Sequence, residues 1–174
     1  MKRFRYFVWY LAKRLFVLCC IMGVLSVSFY YAMNASNIYV VIKDGLAKRA
    51  KVVMMGVEEN ELNKYFSDSY LLRDQRLLSR KNGTTPYIMY DIKGIDHRLK
   101  MEWMWCWPWE NTARAVVSEK IPAVDGRIIA SYKQQTNEKQ WQVPSWGYGK
   151  YNIFLYKENG HWHIRDMQLI SDRE

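Results

Sequence analysis

Leu15 to Met33 is a run of nineteen residues without a charge, set between a basic amino terminus and a longer mixed stretch in which the hydrophobic period changes. As a helix the run would extend roughly 28 Å, about the thickness of a bilayer's hydrocarbon core. From Asn37, Ile38, Val41, Ile42, Leu46, Val52 and Val53 recur at helical spacing while Lys43, Asp44, Lys48, Arg49 and Lys51 take other faces. This predicts an amphipathic helix closed by Gly56. Residues 34–37 read as a short linker, with direct continuation of the apolar helix as the alternative. Glu58 to Phe66 carries Glu58, Glu59 and Glu61 in a first turn, which predicts a second helix. Ser67 to Arg80, with Leu71, Leu72, Leu77 and Leu78, reads as a short helix or irregular segment.

After Pro86 the period becomes two. Leu99, Met101, Trp103, Trp105 and Trp107 fall on one phase and Arg98, Lys100 and Glu102 on the other, which predicts a strand burying its tryptophans. Ile88 to Ile95 reads as part of the same or a neighbouring strand. Ala113, Ala115 and Val117 alternate with Arg114, Val116 and Ser118 in a strand over 112–120. Pro122 and Asp125-Gly126 predict a turn before a strand over 127–134, and residues 135–150 form a polar interval with Pro144, Gly147 and Gly149. Asn159-Gly160 between 151–157 and 161–170 is the strongest hairpin signal. Helices followed by antiparallel strands give an α+β order.

Charge placement adds a topology. Lys2, Arg3, Arg5, Lys13 and Arg14 precede the apolar run with no acid among them, while residues 34–48 hold only Lys43, Lys48 and Asp44. Positive flanks stay on the cytoplasmic side, so residues 1–14 are expected as a cytoplasmic tail, 15–33 as a membrane helix in contact with lipid, and 38–174 as an extracytoplasmic domain. The run is long for a signal peptide and lacks a small-x-small site, since Tyr30 and Met33 occupy the relevant −3 positions. A signal anchor is therefore expected in the cell membrane. The net charge of +9 does not indicate a nucleic-acid partner: setting the five basic residues of the tail aside leaves 21 basic against 17 acidic residues. Cys19 and Cys20 lie in the apolar run and Cys106 stands alone, so no disulfide closes within the outer domain.

Helices before a strand with Trp103 and Trp105, and the ending Tyr151-Asn152-Ile153-Phe154-Leu155-Tyr156-Lys157-Glu158-Asn159-Gly160-His161-Trp162-His163-Ile164, resemble the NTF2-like superfamily. The resemblance spans roughly residues 38–170 and implies a cone, with helices packed on a curved antiparallel sheet. A basic tail, one membrane helix and an exported domain of this kind also resemble envelope assembly proteins. These include the VirB8-like components of secretion and conjugation systems and membrane-anchored sporulation proteins. The resemblance implies a non-enzymatic scaffold that binds other envelope proteins or a second copy of itself.

The candidate interaction surface comprises Trp107 and Trp109 at the strand end and Trp141, Trp146 and Tyr148 in the polar interval. A small ligand or glycan held in the cone cavity is the alternative role for such aromatics. Superfamily enzymes of the isomerase and dehydratase type place acids and histidines inside the cone; here Asp91, Asp96, His97, Glu102 and Asp166 are the available groups. Most fall on polar strand phases, which predicts solvated side chains and no catalytic residue. His161 and His163 project to one strand face, but two ligands do not make a metal site, and no cofactor is expected.

Overall fold

The structure, a computed structural model, describes residues 2–134 and 136–172, with the side chains of Lys2, Arg3, Phe4 and Lys139 outside the described residues. The chain begins with one helix, α1 (Lys2–Met55), of 54 residues. At 1.5 Å per residue it is about 80 Å long. It runs unbroken through residues 34–37, so the linker read there is helical. Nothing in Asn-Ala-Ser-Asn forbids helix, and no proline or glycine interrupts it. The change at this point is in surroundings. Residues 15–30 are exposed, whereas Asn34 is buried, the first such position among the described residues. Ile38, Ile42, Leu46, Ala50 and Val53 then form a buried stripe. Gly56, with φ of +71°, ends the helix in the left-handed conformation, its N–H bonded to Val52 O at 3.1 Å.

Three short helical segments follow. Glu59–Lys64 is a 3₁₀ turn and not the α-helix read over 58–66. Its acidic start has no side-chain cap, and Leu62 is its one buried residue. α2 (Asp68–Leu71) is capped by Ser67 and α3 (Gln75–Lys81) by Asp74. Another 3₁₀ turn, Pro86–Met89, leads into the strands.

Among the described residues six strands pair antiparallel, in two sheets. β1 (Tyr90–Ile95) pairs with β4 (Val124–Ile128) alone. β2 (Arg98–Cys106), β3 (Thr112–Lys120), β5 (Tyr148–Glu158) and β6 (His161–Ser171) form the second sheet in that order. The residues read as a turn, Asp125-Gly126, thus sit inside β4, and the strand expected over 127–134 stops at Ile128. Beyond that point β1 offers no further partner: Ile129 N makes the last bond, to Met89 O, and the chain coils into α4 (Ala130–Lys133). The closing hairpin forms as read, with Asn159 at φ 49° and Gly160 at φ 83°, as a type I′ turn requires.

α1 touches both edge strands of the larger sheet, β2 and β6, and its buried stripe joins Ala115, Val117, Ile153, Leu155 and Ile164 in one core. Bulges at Glu102, Arg165 and Ile170 break the register, and each bends the strand that carries it. The β6 edge is partly covered: Ile164 N bonds Tyr65 O and Ser67 N bonds Ile164 O. The class is α+β, with a long apolar helix at the amino terminus.

Candidate functional site

The tryptophan strand departs from its predicted facing. Between Met101 and Trp103 the β2–β3 register shifts, so that Met101 opposes Val117 and Trp103 opposes Val116. One inserted residue reverses the phase of every later side chain. Leu99 and Met101 face the core as expected, but past Glu102 it is Met104 and Cys106 that face inward. Trp103, Trp105, Trp107 and Trp109 are exposed, the last three by 45, 41 and 69%. The rings of Trp105, Trp107 and Trp109 form a continuous chain. Trp105 and Trp107 meet edge to face with centroids 5.1 Å apart, and Trp107 stacks on Trp109 at 5.2 Å.

The loop aromatics do not join that strip. Trp146 is buried: it packs against Tyr87 at 6.2 Å, with the Arg76 guanidinium 4.1 Å above its ring. It anchors the polar interval to the core and is not part of an exposed surface. Two tyrosine hydroxyls hold the same loop, Tyr87 donating to Ser145 O at 3.2 Å and Tyr90 to Gln140 O at 2.6 Å. Trp141 is half-buried under the Lys133 ammonium. It lines a groove of about 360 Å³ with Ile121, Pro122, Val124 and Val143. Tyr148 lies on the sheet's outer face, its hydroxyl 3.0 Å from that of Ser118. Ser118 also donates to Glu102, which pairs with Lys150.

A buried polar group lies inside the domain. Arg49 of α1 and Asp74 at the start of α3 form a two-pronged ion pair, Nε to Oδ2 and Nη2 to Oδ1, the second at 3.0 Å, and both side chains are almost fully buried. Burial opposes the Arg49 charge, yet the hydrogen bond and charge of Asp74 outweigh it and hold the guanidinium pKa above its ordinary value. Burial likewise pushes the Asp74 carboxyl up, but the bond and charge of Arg49 and the backbone N–H groups of Arg76 and Leu77 pull it net below the usual carboxylate range. Burial raises the neighbouring Tyr70 hydroxyl. On β3, Glu119 is fully buried and its Oε1 lies 3.0 Å from His97 Nε2.

Of the five groups expected to be solvated, His97 is therefore an exception. Asp91 is exposed, Asp96 pairs with Arg98, Glu102 with Lys150, and Asp166 lies 3.8 Å from Arg73. The partner that draws His97 inward, Glu119, is on the apolar phase of β3, and that charge on a buried phase was the available signal. His161 is exposed and His163 packs at a tilt against Tyr156, with ring centroids 5.6 Å apart. Among the described residues no group of three or more His, Cys, Asp or Glu side chains converges as a metal site would require. The Arg49–Asp74 pair matches charge to charge inside a packed core and joins α1 to the start of α3. Comparisons with known protein families, with curated proteins and with solved structures return no match.

Proposed function

We propose that this chain is a single-pass membrane protein whose outer domain is a non-enzymatic assembly module of a cell envelope. The carrying observation is α1 itself: one helix contains both the exposed apolar run of 15–33 and the fully buried core positions Ile38, Ile42 and Leu46. Among the described residues it is the one helix long and apolar enough to cross a membrane. In water, such an exposed apolar surface would be an aggregation liability; in a bilayer it is an anchor, and the basic tail supports an amino terminus on the cytoplasmic side.

A helix that is at once anchor and core supports a scaffold more than a loose tether, because the domain cannot pivot without breaking α1. The order of helices then sheet, with a closing Trp-containing hairpin, supports an NTF2-like cone, and with it a role of the secretion, conjugation or sporulation type. The second reading, a small-ligand or glycan module, rests on the groove beside Trp141. The test is photo-crosslinking in cells from the full chain, with the reactive group at Arg114 on the outer sheet face or at Gln142 beside the groove. The scaffold reading expects discrete protein adducts from Arg114 in the membrane fraction. Absence of adducts from both positions, with the chain properly inserted, would remove it. A small ligand that blue-shifts Trp141 emission without protein adducts would favour the second reading.

A further inference from the structure

The exposed tryptophans lie at the height of the anchor's outer end. Tyr31, two residues before the end of the apolar run, directs its hydroxyl toward Met104 O at 3.4 Å, and its ring lies 6.3 Å from that of Trp105. The helix rises 1.5 Å per residue, so this contact falls about 3 Å inside the run's end at Met33. Past Trp105, β2 continues to Cys106 and turns through Trp107-Pro108-Trp109. The β5–β6 turn lies at the same end, because Lys157 N bonds Asn111 O at 2.7 Å and Lys157 Nζ reaches Asn34 Oδ1 at 3.5 Å. Both hairpin ends of the larger sheet therefore meet α1 where it changes from exposed to buried, and the three contacting rings extend the apolar surface of the anchor sideways.

We infer that Trp105, Trp107 and Trp109 form a lipid-docking strip that seats the outer domain in the headgroup and upper acyl region of the bilayer. The inference rests on the membrane-anchor reading given above. Continuity with the apolar run decides the occupant: a surface in contact with Tyr31 is already at the membrane boundary, where lipid is the neighbour at highest concentration. Tryptophan suits that boundary, since its ring is apolar and its indole N–H finds water or headgroup oxygen. Arg114, opposite Trp105 on β3, marks the outer margin of the strip, and Glu110, Asn111 and Lys157 beside Asn34 supply the rest of a polar rim. Two attachments, a spanning helix and a docked strip, fix the tilt and rotation of the domain relative to the membrane; a helix alone leaves rotation about its axis free.

The test uses the full chain reconstituted in phosphatidylcholine–phosphatidylglycerol vesicles containing lipids brominated either close to the headgroup or deep in the acyl chain. Trp9→Phe removes the one tryptophan of α1. In this variant, shallow bromine is expected to quench a substantial share of the emission and deep bromine much less. Adding Trp105→Phe, Trp107→Phe and Trp109→Phe should abolish the shallow quenching while alkaline carbonate still leaves the chain in the vesicles. If near-UV circular dichroism shows that the multiple variant does not fold, Trp9→Phe with Trp109→Phe alone reports the same loss in part. Shallow quenching that is absent from Trp9→Phe, or that survives the substitutions, overturns the inference while the anchor reading stands. Release of the wild-type chain by carbonate overturns the anchor reading and the inference with it. Disulfide-linked dimers through Glu110→Cys, without shallow quenching, overturn the inference by assigning the strip to a second copy.

Discussion

Arg49 shows how a single residue couples the long helix to the segments after it. Its charge sits on the buried stripe of α1 and is satisfied by Asp74, which also caps α3 by accepting the Arg76 N–H at 3.0 Å. Asp74→Asn keeps an oxygen for the cap but removes the charge, leaving a buried guanidinium unpaired, at a cost of about 3–5 kcal/mol. Thermal unfolding of the full chain in detergent, followed by near-UV circular dichroism, should show that loss, and Arg49→Met combined with Asp74→Asn should recover most of it. The pH dependence has a definite sign. Because the folded Asp74 pKa is depressed, its contribution is present above the ordinary carboxylate value of about 4 and is lost as pH falls through the lower folded value. Wild type should therefore lose stability more steeply than the double variant on acidification below about pH 4. Gly45 illustrates a competing pair of effects on the same helix. Alanine would gain about 1 kcal/mol of helix propensity, but its Cβ would stand 2.9 Å from Tyr65 Cβ and 3.4 Å from the Phe66 ring. Overpacking costs about 1–3 kcal/mol, so Gly45→Ala is expected to lower the melting temperature.

At the scale of elements, β2 carries the informative departure. Its apolar and polar residues alternate from Leu99 to Trp103, with Met104 and Cys106 making both phases apolar beyond it, and a strand without a bulge would bury the tryptophans. The bulge at Glu102 is stabilised from outside the strand, by Ser118 on β3 and Lys150 on β5, whose meeting no local pattern reveals. Deleting Glu102 tests this reading. The pairs on either side, Met101 with Val117 and Trp103 with Val116, already belong to one continuous ladder, so the deletion should leave Trp105 and Trp107 as accessible to acrylamide as before, at a cost of about 1–2 kcal/mol in lost hydrogen bonding. A strand with no bulge would exchange its two faces instead. The elements legible in sequence were those encoded within a few residues: the apolar run, the stripe from Ile38, the Gly56 cap, the alternation of β3 and the Asn159-Gly160 hairpin. Illegible were features set by distant partners. β4 takes its bounds from β1, the 3₁₀ turn at 59–64 is shaped by what Leu62 buries against, and His97 is drawn inward by Glu119. The exposed strip could be named from its tryptophans, but its facing and its nearness to Tyr31 depend on a bulge and on the path of α1.

For the whole molecule, the consequence of one continuous helix is mechanical. If α1 is a rigid post, the faces presented to partners depend on its rotational phase, which each inserted residue changes by about 100°. Two alanines placed after Met33 would rotate the outer domain by roughly 200° relative to the apolar run and lift it about 3 Å, removing Tyr31 from Trp105 while leaving both the anchor and the buried stripe intact. Seven alanines would restore the phase to within about 20° but raise the strip by about 10 Å, beyond the headgroup region that Trp105 would otherwise reach. The expected outcome is that both variants resist carbonate extraction and keep the wild-type melting temperature. The seven-alanine variant should lose shallow bromolipid quenching, and the two-alanine variant, raised only about 3 Å in a bilayer that surrounds the helix on every side, should keep most of it. The two-alanine variant should lose the larger share of its Arg114 crosslinks to partners that also grip the apolar run, because its outer sheet face is turned relative to that run. The seven-alanine variant separates height from phase: crosslinks that persist there identify rotation as the quantity α1 controls, and crosslinks lost there identify distance from the bilayer. Full crosslinking in both would reduce α1 to a tether, and the advantage of the anchored domain would then be effective concentration alone.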